Sequence, residues 1–191
     1  MIGIIEIVLA FVLGAALGAV LWAASTELFA VDAFRRTNYR GHPLPTAAGV
    51  LLALAGGLAV AVHVLVLDGW HWAVGETDTE WRLLAIYGPA TVELAVAFAL
   101  LGLFDDLGGS GQSGGFRGHL TALAKGRLTT GSIKLLGGPV FALAVLAGTD
   151  HTSSRVGLLR DAALICLAAN LANLFDRAPG RVNKVGQLAF A

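Results

Sequence analysis

The chain has 191 residues, 56% of them hydrophobic and 14% charged. Soluble domains carry roughly 25% charged residues, so this composition cannot cover a globule in water and points to a membrane protein. Thirteen basic residues balance thirteen acidic ones, which excludes a basic coat for nucleic acid, and the single cysteine, Cys166, excludes a disulfide framework. Five continuous apolar runs predict helices that each offer the roughly 20 residues needed to cross a bilayer. Ile2–Ala24 carries Glu6 as its one charge, and Thr46–Leu67 holds no acid or base and one histidine, His63. Leu83–Phe104 is interrupted by Glu93, Gly131–Gly148 carries Lys134 near its start, and Val156–Phe175 includes Arg160 and Asp161. Their continuity, without period-two alternation, predicts helices rather than strands. The first run has no basic segment before it and is long for a signal peptide, so it is read as a span. The expected fold is all-α: a polytopic transmembrane helix bundle of five spans plus the start of a sixth, in a single membrane domain over residues 1–191.

Basic residues set the orientation. Arg35, Arg36 and Arg40 follow the first run; Arg117, Lys125, Arg127 and Lys134 follow the third; Arg177, Arg181 and Lys184 follow the fifth. Ten of the thirteen basic residues therefore fall on one side, which the positive-inside rule makes cytoplasmic. The other side holds Asp68, Glu76, Asp78 and Glu80, with Trp70, Trp72 and Trp81 suited to an interfacial aromatic belt. The expectation is a multi-pass protein of the cell membrane with its N-terminus outside. Gly14 and Gly18 in the first run form the small-residue spacing that permits close helix contact, a route to a homodimer.

The polar residues on the cytoplasmic side are few and grouped. Asp105 and Asp106 close the third run, where a helix C-terminus disfavours acids. They are either a solvated boundary marker or a Mg²⁺ site, since hard cations that hold phosphates use one or two carboxylates plus water. Gly109–Gly114 matches G-x-G-x-x-G, but it follows a membrane helix rather than a strand and reads as a flexible tether. Asn170, Asn173 and Asp176 recur at every third residue, within an arc of roughly 120° on one helix. Asparagines there can bond neighbouring helices, but that does not readily explain an array ending on an aspartate and followed by Arg177 and Arg181. Arg40–Gly49 turns into the second run through Pro43 and Pro45, with Thr46 placed at the helix start. Lys134 either snorkels to the interface or points at a phosphate. Glu93, in mid-membrane, is read as bonding within the bundle, the alternative being an ion path in a transporter.

Four of these motifs, in this order, resemble the polyprenyl-phosphate N-acetylhexosamine-1-phosphate transferases. They are Pro45-Thr46-Ala47-Ala48-Gly49 entering the second run, Gly102-x-x-Asp105-Asp106 ending the third, Lys134-Leu135-Leu136-Gly137 and Asn170-x-x-Asn173-Leu174-x-Asp176. The resemblance extends from Arg40 to Gly180. It implies transfer of a sugar-1-phosphate from a UDP-sugar to a polyprenyl phosphate, with Mg²⁺ as cofactor, for cell-wall or surface polysaccharide synthesis. By the resemblance, Asp105, Asp106 and Asp176 are the catalytic and metal residues. Lys134 meets the phosphates, Asn170 and Asn173 the nucleotide region, and Arg40 and Thr46 bind substrate. Two departures stand against it. The family's second aspartate after Asp176 falls on Pro179, and the chain ends at Val185–Ala191, within an apparent sixth span, before the family's later cytoplasmic loops. The expectation is therefore the N-terminal part of a longer transferase, the alternative a non-catalytic membrane homologue.

Overall fold

A computed structural model describes residues 4–38, 40–62, 65, 79–108, 115–149, 154–175 and 180–189. The chain is mostly helical, as its unbroken apolar runs require. Seven α-helices are found among the described residues: α1 (Ile4–Ala24), α2 (Val50–Val62), α3 (Thr79–Gly108), α4 (Gly115–Ala124), α5 (Thr130–Ala147), α6 (Arg155–Phe175) and α7 (Arg181–Ala189). Two of them, α5 and α6, are long and apolar enough to cross a membrane, with mean hydropathy of 1.6 and 1.5. At 1.5 Å per residue they reach about 27 and 31 Å. Only 22% and 6% of these apolar stretches are buried, unlike the core helices of a water-soluble domain. The apolar part of α1 (Phe11–Ala24) and α2 are shorter. The second run thus gives a helix that begins at Val50, and Thr46 lies ahead of it rather than at its cap.

The chain is not wholly helical. Arg35–Thr37 (β1) and Pro43–Pro45 (β2) form an antiparallel ribbon with Arg36 opposite Leu44. Prolines cannot donate to a ladder and so suit so short an edge ribbon. Its turn is held by Asn38, whose Oδ1 accepts from the backbone N–H of Arg40 at 2.9 Å and of His42 at 3.0 Å.

The described residues fall into two compact units, Met1–Lys134 and Leu135–Ala191. In the first, α2 packs along α3 and α1 along α2. Gly57 lies where α2 meets α3, and a Cβ there would make an ordinary contact with Val92 at 3.5 Å. An apolar groove of about 590 Å³ remains between these helices, lined by Leu21, Val50, Leu54, Val92, Val96 and Leu100 among others. Gly14 and Gly18 on α1 have nothing within 4 Å of a Cβ at either position. Glu93 is exposed on α3. In the second unit α7 packs on α6, and Cys166 is a half-buried free thiol of α6.

A helical hairpin absent from the sequence reading joins α4 to α5. Gly126, at φ +70°, ends α4 in the left-handed conformation that glycine adopts without strain. The N–H of Arg127 reaches back to the Ala122 carbonyl at 2.9 Å and that of Gly126 to Leu123 at 2.9 Å, the paired bonds of a Schellman cap. Three residues later α5 opens with reciprocal bonds. Ser132 Oγ accepts from the Thr129 N–H at 2.6 Å, while Thr129 Oγ1 accepts from the Ser132 N–H at 3.1 Å. This is a capping box with serine in the place usually held by glutamate. His119 of α4 joins the box through Nδ1, 2.8 Å from Thr129 Oγ1.

Candidate functional site

The last turn of α3 holds Asp105 and Asp106 and contains no basic residue of its own. Carboxylates at the negative end of a helix dipole need cations or donors from elsewhere, and three other segments of the first unit supply them. From α5, Lys134 places Nζ 2.8 Å from Asp105 Oδ2, across 29 residues of sequence. From the segment entering α2, the Ala47 N–H donates to Asp106 Oδ2 at 3.0 Å. From β1, the Arg36 guanidinium donates to the Asp106 carbonyl at 2.9 Å and the Leu107 carbonyl at 3.4 Å, capping α3 from outside.

The two aspartates therefore diverge, as neighbours 100° apart on a helix must. The Asp105 carboxylate meets α5, and the Asp106 carboxylate meets the Ala47 turn ahead of α2. The Lys134–Asp105 side chains are about one-third exposed, at 32% and 37%. Pairs so open to water contribute only about 0.2–1 kcal/mol to stability. A pair of so little structural worth leaves both charges accessible to a ligand.

Asp106 does a different job locally. Ala47 is buried and sits at φ +61°, the only non-glycine residue with positive φ among the described residues. That conformation costs an L-residue about 1 kcal/mol. The bond from its N–H to Asp106 and the bond from the Thr46 N–H to the Phe34 carbonyl, at 2.8 Å, hold the turn there. Backbone strain held by surrounding contacts is a feature of functional sites. Gly108, two residues on, lies so close to α5 that a Cβ would stand 2.9 Å from Thr130 Cγ2.

Five of the sequence-selected residues lie in the first unit, Arg40, Thr46, Asp105, Asp106 and Lys134; Lys134 meets Asp105, and Asp106 meets Ala47, the residue after Thr46. Arg40 sits in the ribbon turn, its backbone N–H bonded to Asn38. Asn170 and Asn173 are exposed near the end of α6, in the second unit. Asp176, with Arg177 and Pro179, lies outside the described residues, as do the Gly109–Gly114 segment, the acidic residues Asp68, Glu76 and Asp78, and Trp70 and Trp72. In the sequence Arg36 stands out only as one of the basic residues that set the expected topology. The signal for its role was the lack of any cation in the last turn of α3.

The donor set fits one kind of metal site. Among the described residues no group of three or more His, Cys, Asp or Glu side chains is placed to hold an ion, so an all-protein cage is not formed by them. One or two carboxylates with a neighbouring ammonium instead match a Mg²⁺ ion that shares its coordination with substrate phosphates and water. Asp105 and Asp106 use Oδ2 in the contacts described, and both are half-buried rather than sealed.

Comparison of the chain with protein-family models, with curated proteins and with solved structures gives no match.

Proposed function

We propose that the chain serves the Mg²⁺-dependent transfer of a sugar-1-phosphate from a UDP-sugar to a polyprenyl phosphate at the cytoplasmic face of the cell membrane. The product is a lipid-linked sugar for cell-wall or surface polysaccharide synthesis. The observation that carries this reading is the 2.8 Å pairing of Lys134 with Asp105. It joins two of the four motifs behind the family resemblance, while the Ala47–Asp106 bond draws in a third.

The chemistry accounts for the residue types. A phosphate oxygen of the lipid attacks the sugar-bearing phosphorus of the donor. The new P–O bond forms as the old one breaks, and the bridging oxygen leaves with its electron pair as UMP. Nucleophile and donor are both anions, so positioning and charge neutralisation supply most of the rate. Mg²⁺, when bound, screens the phosphate charges. Lys134 holds a phosphate oxygen as a point charge, Asp105 orients that ammonium and offers a ligand oxygen, and Asp106 offers a second carboxylate from a turn it also braces. By the resemblance Asp176 completes the metal residues, and Asn170 and Asn173 meet the nucleotide.

The membrane part of the proposal is five spans, α1, α2, α3, α5 and α6, with α7 leading toward a sixth. The basic loops lie inside and the N-terminus outside, as the distribution of Lys and Arg favours. A second reading, a non-catalytic membrane homologue, is favoured by Pro179, which cannot ligate a metal where the family carries an aspartate. Reconstituted protein supplied with polyprenyl phosphate and labelled UDP-N-acetylhexosamines separates the two. The transferase reading predicts label in the lipid fraction and equimolar UMP, both abolished by EDTA and restored by Mg²⁺. Labelled donor that binds but releases no UMP in Mg²⁺ selects the non-catalytic homologue.

A further inference from the structure

We infer that α4 is an interfacial helix whose outer face seats in the headgroups of anionic lipids. Three faces of this ten-residue helix carry three kinds of residue. The inner face holds Gly118, His119 and Ala122; Ala122 is buried and His119 bonds Thr129 at 2.8 Å, so this face is already used by α5. A second arc, roughly 80° wide, carries Phe116, Leu120 and Ala124. Phe116 is 65% and Leu120 40% exposed, and Leu128 just beyond the cap is 67% exposed. The third arc begins with Arg117 and Thr121 and continues through Lys125 to Arg127, all exposed.

An exposed apolar arc beside a basic one is the pattern of a helix that lies in the membrane surface. Charge complementarity decides the occupant. From Leu107 to Thr149 the sequence contains no aspartate or glutamate, and Arg117, Lys125 and Arg127 are in no ion pair among the described residues. Three cations without internal partners, next to aromatic and aliphatic side chains, match phosphate-bearing headgroups above acyl chains. The Schellman cap at Gly126 and the His119–Thr129 bond hold α4 against the start of α5, which leaves its outer face uncovered within the first unit. This inference rests on the membrane reading but not on the transferase activity.

The test uses the full chain carrying Leu120→Cys in a Cys166→Ser background, labelled with bimane and reconstituted into two sets of vesicles. One is phosphatidylcholine alone; the other contains phosphatidylglycerol, and both are made with and without brominated acyl chains. Brominated lipid should quench the dye strongly in the phosphatidylglycerol vesicles and weakly in phosphatidylcholine, and high salt should remove the difference. Each cation near an anionic surface shifts partition about fivefold. Arg117→Gln, Lys125→Gln and Arg127→Gln together should therefore weaken seating on the order of a hundredfold, bringing quenching to the phosphatidylcholine level. Equal quenching in both vesicle types, insensitive to salt, overturns headgroup recognition. A dye shielded from water but not reached by brominated lipid overturns it too, by showing that protein covers the face. Salt dependence in the unsubstituted background decides the matter if the triple variant fails to incorporate. If the protein does not float with vesicles at all, the membrane reading fails, and this inference with it.

Discussion

On the proposed transferase reading, Asp106→Asn should lower Mg²⁺-dependent UMP release by about 10²-fold or more, equivalent to about 2.7 kcal/mol of barrier, and leave the fold in place. The substitution isolates charge from geometry. An asparagine carbonyl oxygen accepts the Ala47 N–H as the Asp106 Oδ2 does at 3.0 Å, so the left-handed Ala47 turn keeps its brace. Removing one negative charge from the C-terminal turn of α3 also relieves an unfavourable helix-dipole contact worth about 0.3–1 kcal/mol. A melt in detergent should therefore hold or rise slightly while turnover collapses. Asp106→Leu, which removes the acceptor as well, should lose both activity and stability, since the buried Ala47 N–H is left unpaired at a cost of about 1–3 kcal/mol. Turnover within about threefold of normal in Asp106→Asn would reduce Asp106 to a tether for the turn, because a role in holding the cation that neutralises the phosphates cannot survive loss of the carboxylate charge.

The second large effect is on stability and lies at the start of α5. A Cβ on Gly131 would clash with the His119 imidazole at Cδ2 and Nε2. Gly131→Ala must push that ring aside and break its 2.8 Å bond to Thr129, which also serves the capping box. Overpacking of this kind costs about 1–3 kcal/mol, and the lost bond about 1 kcal/mol more. Alanine is otherwise the better helix former by about 1 kcal/mol, so the sign of the measured change separates the two effects. His119→Ala clears the space, and the pair should be coupled: the double variant should be more stable than Gly131→Ala alone. Gly131→Ala that raises the melting temperature by itself would show that the ring does not pack there.

Much of the helical architecture was legible because the apolar runs are continuous. Val156–Phe175 and Gly131–Gly148 read as helices from composition alone, and the structure places α6 and α5 within a residue of those bounds. The run Thr46–Leu67 was overextended at its start: its first four residues follow the two prolines of the ribbon and take an irregular turn through Ala47 before α2 begins. The ribbon itself left no readable pattern, since Arg-Arg-Thr and Pro-Leu-Pro show neither alternation nor strand propensity. Helix α4 was hidden inside a segment read as tether and basic loop. Its signal was Phe116, Leu120 and Leu123 at helical spacing, which a window tuned to long apolar runs passes over.

At the site, the charge distribution put Asp105, Asp106 and Lys134 on one expected side, and the family resemblance named the three residues. The pairing did not follow, because nothing in a linear sequence says that Lys134 reaches Asp105 across 29 positions. Nor could Arg36 be distinguished from Arg35, since only the fold reveals which guanidinium meets the α3 carbonyls. The strain at Ala47 is likewise invisible in a residue type that ordinarily favours helix.

Lys134 and Asp105 are proposed as a phosphate- and metal-handling pair rather than a staple between α3 and α5. A double-mutant cycle of Asp105→Asn and Lys134→Met, read by detergent melt and by Mg²⁺-dependent UMP release, tests this most directly. Each single change strands one charge; the double variant strands none, so its stability should return to within about 0.5 kcal/mol of the starting protein. Turnover should not return: the account predicts a loss of about 10²-fold or more in both singles and in the double. Recovery of UMP release together with the melt in the double variant would contradict it, because only a structural staple can be replaced by two uncharged side chains.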